Sequence, residues 1–76
     1  MNTSRLILKS ARQKAGMTQQ KVADYLHTEI RYYKQIESGE RLGSIKIWDA
    51  LEDLFAIHQR ELRKISEIHP DKADNP

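Results

Sequence analysis

Cysteine is absent from this 76-residue chain, and glycine, proline and aromatic residues are scarce: three Gly, two Pro, one Trp, one Phe and three Tyr. Without cysteine there is no disulfide to staple a small fold and no thiolate to hold a metal. Its three histidines, His27, His58 and His69, lack any close metal-ligand spacing. No apolar run is long enough to span a bilayer, and Met1-Asn-Thr-Ser-Arg5 lacks the apolar stretch of a signal peptide. The expectation is a cytoplasmic protein with no membrane partner. A chain this short also leaves little volume for a catalytic cleft beside a scaffold, which argues against an enzyme.

What remains is 38% hydrophobic and 32% charged, the composition of a small domain whose apolar residues are shared among amphipathic helices. The net charge of +2 says little, but its distribution says more. Residues 1–38 carry seven Lys or Arg against three Asp or Glu, and residues 39–76 carry six against eight. The basic half would face phosphates and the acidic half would turn away from them.

Helical punctuation runs through most of the chain. Thr3 or Ser4 can cap a first helix reaching about Ala15, with Leu8, Ala11 and Ala15 inward and Arg5, Lys9 and Lys14 largely outside. Gly16 then closes it in a left-handed conformation. Thr18 caps a second helix with Val22, Ala23 and Leu26 as its inner stripe. His27-Thr28-Glu29 turns into a third helix that buries Tyr33 and Ile36 and stops at Ser38-Gly39. Two short helices joined by a tight turn are the plan of a DNA-reading helix-turn-helix. Ser44 caps a fourth helix with Ile45, Trp48, Leu51 and Phe55 inward. A break near residues 56–58 precedes a fifth, whose Leu62, Ile65 and Ile68 recur at helical spacing up to Pro70.

The pattern Leu8-Lys9-Ser10-Ala11-Arg12, Gly16-Met17-Thr18-Gln19, Val22-Ala23, Leu26, Tyr33, Ile36-Glu37-Ser38-Gly39-Glu40-Arg41 and Ser44-Ile45 resembles the XRE-type family of Cro- and phage-repressor-like helix-turn-helix regulators. The resemblance covers roughly residues 5 to 62. It implies an all-α, compact five-helix domain, here residues 1–69 with a flexible tail at 70–76, that is dimeric on double-stranded DNA and regulates transcription. It also implies a structural ion pair between Arg12 and Glu37. Several positions depart from the family pattern: His27 stands at the turn glycine, where it is expected to take a left-handed conformation, Glu29 at the usual Ser or Thr cap, Leu42-Gly43 at a common Asn-Pro, and Glu52 at a position that is often alanine in the fourth helix.

Carried onto this chain, the resemblance places Ile30, Arg31, Lys34 and Gln35 in the major groove. Arg31 can donate a fork to guanine O6 and N7, Gln35 can pair with adenine N6 and N7, and Ile30 can pack on a thymine methyl. Gln19, Lys21, Arg41 and Ser44 are the phosphate candidates. Thr28, Glu29 and Tyr32 are ambiguous, and for Glu29 a helix cap is preferred over a cytosine contact. Exposed Arg, Lys and Gln also occur on any solvated helix face.

The stripe of Leu62, Ile65 and Ile68 is the expected dimerisation face, with packing onto the domain's own core as the alternative. The leading reading is a sequence-specific regulator, a repressor of phage or mobile-element type, needing no cofactor. Its rivals use the same fold as a protein-binding adaptor or as the antitoxin of a toxin pair, with a regulatory protein as partner. His58, Glu61 and His69 do not amount to an acid-base or metal site, because no pocket or third ligand accompanies them.

Overall fold

The computed structural model describes residues 2–68, and the expected tail at 70–76 lies outside them. Five helices follow in order: α1 (Leu6–Lys14), α2 (Gln19–Leu26), α3 (Ile30–Ser38), α4 (Ile45–Phe55) and α5 (Gln59–Leu62). Two three-residue strands, β1 (Asn2–Ser4) and β2 (Ser66–Ile68), pair antiparallel with Asn2 opposite Ile68. The all-helical core thus has its two ends tied together by a short ribbon.

Local chemistry sets several of the helix ends. Thr18 Oγ1 accepts from the Lys21 amide and Ser44 Oγ from the Ile47 amide, so α2 and α4 start where a hydroxyl satisfies a free N–H. At the end of α1 the Met17 amide donates to the Arg12 oxygen and the Gly16 amide to the Gln13 oxygen, with Gly16 at φ 72°. The same closure ends α2, where Thr28 donates to Ala23 and His27 to Asp24, but His27 itself takes the left-handed φ of 58°. This turn delivers α3 across α2.

Leu8, Ala11, Val22, Ala23, Tyr33, Ile36, Trp48, Leu51 and Leu62 form the core, so all five helices contribute. Ala23 carries almost no side chain, which lets α2 and α3 approach closely. Burying such apolar groups is the main favourable term for a domain of this size.

Several expectations are corrected. Helix α1 begins at Leu6, because Asn2–Ser4 is drawn into the ribbon, and Arg5 occupies its N-cap position with no side-chain cap bond. Arg5 is only 2% exposed, and Ala15 is exposed instead of inward. Ile45 is 78% exposed at the first turn of α4. The fifth helix stops at Leu62: Ala56 turns the chain at φ 56°, α5 lasts four residues, and Ser66–Ile68 is extended against β1. Helical spacing of Leu62, Ile65 and Ile68 is therefore not realised, since strand pairing with the N-terminus wins over a longer helix.

Candidate nucleic-acid interface

Helix α3 owes its position to Glu37. The Arg12 Nε on α1 lies 2.7 Å from Glu37 Oε2, and Arg12 Nη2 donates to Oε1 at 3.2 Å. Tyr33, one turn earlier on α3, donates its hydroxyl to Oε2 at 2.8 Å, and Gln19 at the start of α2 donates to Oε1 at 3.0 Å. Arg12 adds a bond to the Met17 oxygen at 2.9 Å. One buried carboxylate thus joins α1, α2 and α3 through charge-assisted bonds.

The electrostatics agree with that arrangement. Its hydrogen bond to Glu37 raises the Arg12 pKa above the ordinary arginine value. Burial, and then the Glu37 charge, push the Tyr33 phenol well above the ordinary tyrosine range. Tyr33 therefore serves the carboxylate as a neutral donor.

A second cation supports the far end of α3. Arg5 Nη1 donates to the main-chain oxygens of Ile36 and Arg41, the latter at 2.9 Å, and its Nε donates to the Arg63 oxygen at 3.0 Å. Its guanidinium also sits 5.1 Å from the centre of the Trp48 ring. No carboxylate faces Arg5 among the described residues; carbonyl dipoles at the ends of α3 and α5 take that place. Burial, and next the Arg63 charge, lower its pKa. Periodicity could not single out this residue, because its partners lie in three distant segments.

On the outer side of α3, Arg31 and Lys34 are exposed, and neither makes an ion pair among the described residues. Ile30 is partly buried and packs against the core, so only part of it remains for a groove contact. Gln35 accepts from Arg41 Nε at 2.9 Å, and the Arg41 guanidinium lies 5.8 Å from the Tyr32 ring centre. Tyr32, Gln35, Arg41 and Ser44 line one shallow depression. An adjoining depression takes in Thr28, Tyr32, Ser44 and Lys46, so the ambiguous residues Thr28 and Tyr32 share a surface with the candidates. Lys46, two residues after the Ser44 cap, adds to this surface a cation that the sequence pattern did not single out.

Of the remaining candidates, Lys21 is exposed on α2, while the Gln19 amide is already engaged by Glu37. Glu29 stands at the N-cap of α3 with extended backbone, yet its side chain makes no cap bond, which corrects the expected role. A cap carboxylate must fold back over the first turn, and the exposed Glu29 does not. His58 accepts from the Arg60 amide and Glu61 pairs with Lys64 at 3.1 Å, both local surface contacts; His69 lies outside the described residues.

The expected dimerisation stripe is dispersed. Leu62 is fully buried in the domain's own core, which corrects its assignment to a sticky outer face. Ile65 is 48% exposed, and Ile68 belongs to β2. Leu42 at 80% and Ile45 at 78% exposure line the same groove as Ile65, together with Arg60, Arg63 and Lys64. Among the described residues no helix is long and apolar enough to cross a membrane.

Comparison with known proteins agrees with the geometry of α2 and α3. A family model described as helix-turn-helix matches residues 8–62, from the first core leucine of α1 to the last residue of α5. No curated protein and no solved structure matches the chain.

Proposed function

The chain belongs to the XRE-type helix-turn-helix family, a DNA-binding regulatory family, and from that premise we propose that it is a sequence-specific repressor of phage or mobile-element type that reads the major groove with α3. The observation that carries this reading is the contrast between the two sides of α3. Its inner side is fixed by Tyr33, Ile36 and Glu37, whereas Arg31 and Lys34 stand exposed and without acidic partners among the described residues. A rigidly seated helix with free donors is what direct base readout requires.

In this reading Arg31 forks onto a guanine, Lys34 and Gln35 contact neighbouring bases, and Ile30 offers what remains of its surface to a thymine methyl. Lys21, Arg41 and Ser44 meet phosphates, and Lys46 joins them. Gln19 reaches a phosphate only with the donor that Glu37 leaves over. Glu29, uncapped and exposed at the entry of α3, accepts from a cytosine amine or is tolerated beside the backbone.

One such unit covers only a few base pairs, so a second copy is expected to complete the site. Leu42 in the loop after α3, Ile45 at the start of α4 and Ile65 beyond α5 supply the apolar part of that contact. Arg60 and Arg63 line the same groove, and in a symmetric pair their charges would repel those of the second copy. Pairing is therefore expected to be weak until DNA phosphates offset the repulsion.

The protein-binding adaptor, or an antitoxin of the same fold, is the rival reading, and the exposed Glu29 favours it because a carboxylate there repels phosphates. Selecting duplexes from a random pool with the wild type and Arg31→Ala separates the two. A regulator enriches an inverted repeat with half-sites about one helical turn apart, and Arg31→Ala loses about 1–3 kcal/mol and relaxes one position. No enrichment even at low salt would leave the adaptor as the better reading.

A further inference from the structure

We propose that Arg41 is a positioning residue that fixes the amide of Gln35, so that Gln35 reads a base edge rich in acceptors, guanine or thymine, instead of pairing with adenine through both amide atoms. The inference rests on the major-groove reading of α3 given above.

The chemistry begins with what Arg41 lacks. A guanidinium carries only donors, so the Gln35 atom 2.9 Å from Arg41 Nε must be the carbonyl oxygen. The amide NH2 is the end left for another acceptor. Adenine is read by glutamine in a two-bond pairing that uses both ends: the oxygen accepts from N6–H and the nitrogen donates to N7. With one lone pair of its oxygen held by Arg41, the Gln35 amide is fixed in orientation, so its nitrogen is set to donate while its oxygen can meet an adenine N6–H only through the second lone pair and only in the plane Arg41 imposes. The major-groove acceptors for the nitrogen alone are guanine O6 and N7 and thymine O4.

Arg41 is held firmly enough to impose this choice. Its amide donates to the Gln35 main-chain oxygen at 3.2 Å, and its own oxygen accepts from Arg5 at 2.9 Å. Its guanidinium lies over Tyr32, 5.8 Å from the ring centre. Gln35 and Arg41 are therefore joined both by main chain and by side chain. Turning the Gln35 amide to lay both its ends on adenine would break this side-chain bond.

Selection from a random duplex pool by the wild type, Gln35→Ala, Arg41→Ala and Arg41→Lys tests the assignment. Gln35→Ala marks the position in question by erasing its preference. The wild type is expected to choose guanine or thymine there, and Arg41→Ala to shift the choice towards adenine by on the order of tenfold while other positions keep theirs. Arg41→Lys, which can still donate to the Gln35 oxygen, is expected to retain the wild-type choice. Adenine in the wild-type site, or a uniform loss of affinity in Arg41→Ala with the base preference unchanged, would overturn the proposal. Failure of every protein to enrich a duplex would overturn the DNA reading itself and this inference with it. In the free protein, the Arg41 Nε proton should exchange slowly by NMR and lose that protection in Gln35→Ala; fast exchange in the wild type would refute the positioning contact by itself.

Discussion

Gln19 donates its side-chain amide to Glu37 Oε1 across 3.0 Å, tying the first residue of α2 to the last turn of α3. Arg12 and Tyr33 bond the same carboxylate, which is 5% exposed against 11% for Arg12. Removing one partner of so dry a cluster strands the others. Glu37→Ala is expected to cost about 3 to 5 kcal/mol and Arg12→Ala about 3 kcal/mol. Gln19→Ala loses a single bond and is expected to cost about 1 kcal/mol. Thermal melts followed by circular dichroism should rank them in that order, with roughly 4 to 8 °C of melting temperature per kcal/mol. An unchanged melting temperature in both Arg12→Ala and Glu37→Ala would remove the cluster from the account of stability.

Arg5 answers a different need. The oxygens of Ile36, Arg41 and Arg63 stand at chain ends where helix bonding has run out, and one guanidinium serves all three. Arg5→Met fills much of the space and leaves those oxygens without their donor, at a cost of about 3 kcal/mol. Lysine has the charge without the planar fork, so Arg5→Lys is expected to recover less than half of the loss. Urea midpoints of the three proteins check this, and Trp48, beneath the Arg5 guanidinium, gives the fluorescence signal. A lysine variant as stable as the wild type would mean that charge alone suffices.

Where a feature depends on near neighbours in the chain, the sequence already displayed it. Thr18 and Ser44 cap the helices they precede, Gly16 and His27 turn left-handed, and Trp48 and Leu51 face inward. The helix-turn-helix itself lies in one such local stretch. Features built from distant segments were hidden. Arg5 looked like a surface residue because its acceptors lie on α3, on the loop after it and beyond α5. Leu62, Ile65 and Ile68 kept a helical rhythm that pairing of Ser66–Ile68 with Asn2–Ser4 overrode. Gln35 and Arg41 are six apart, a spacing that meets on no helix and becomes a contact only because the chain turns at Gly39.

Alkaline pH should weaken the fold through Tyr33. Burial and the Glu37 charge hold its phenol well above the ordinary tyrosine range, whereas an unfolded chain releases that proton near pH 10, about the model-peptide value. Above that pH the unfolded state binds fewer protons than the native state, so stability falls as pH rises; below it the Tyr33 contribution is fully present. The Arg12 pKa, raised by Glu37, acts with the same sign at still higher pH. The free energy of unfolding is expected to drop by up to about 1.4 kcal/mol per pH unit beyond about pH 10. Tyr33→Phe should be less stable at neutral pH, having lost its bond to Glu37, yet should lack that tyrosine-dependent slope. Urea titrations at neutral and alkaline pH measure both, and equal slopes in the two proteins would assign the effect elsewhere.

Among the described residues two non-glycine residues hold left-handed backbone, His27 at φ 58° after α2 and Ala56 at φ 56° after α4. A Cβ in that region crowds the following carbonyl and costs roughly 1–2 kcal/mol, while glycine takes the conformation freely. Histidine tolerates it better than most residues, and alanine has no polar group with which to compensate. Ala56→Gly is therefore expected to raise stability by up to about 1 kcal/mol after the greater freedom of glycine in the unfolded chain is subtracted, and His27→Gly by less. Ala56 is also exposed, so its methyl gives up little packing. Thermal melts of the two single variants decide the matter: a fall in melting temperature for Ala56→Gly would show that unfolded-state entropy outweighs the relief of backbone strain at the turn into α5.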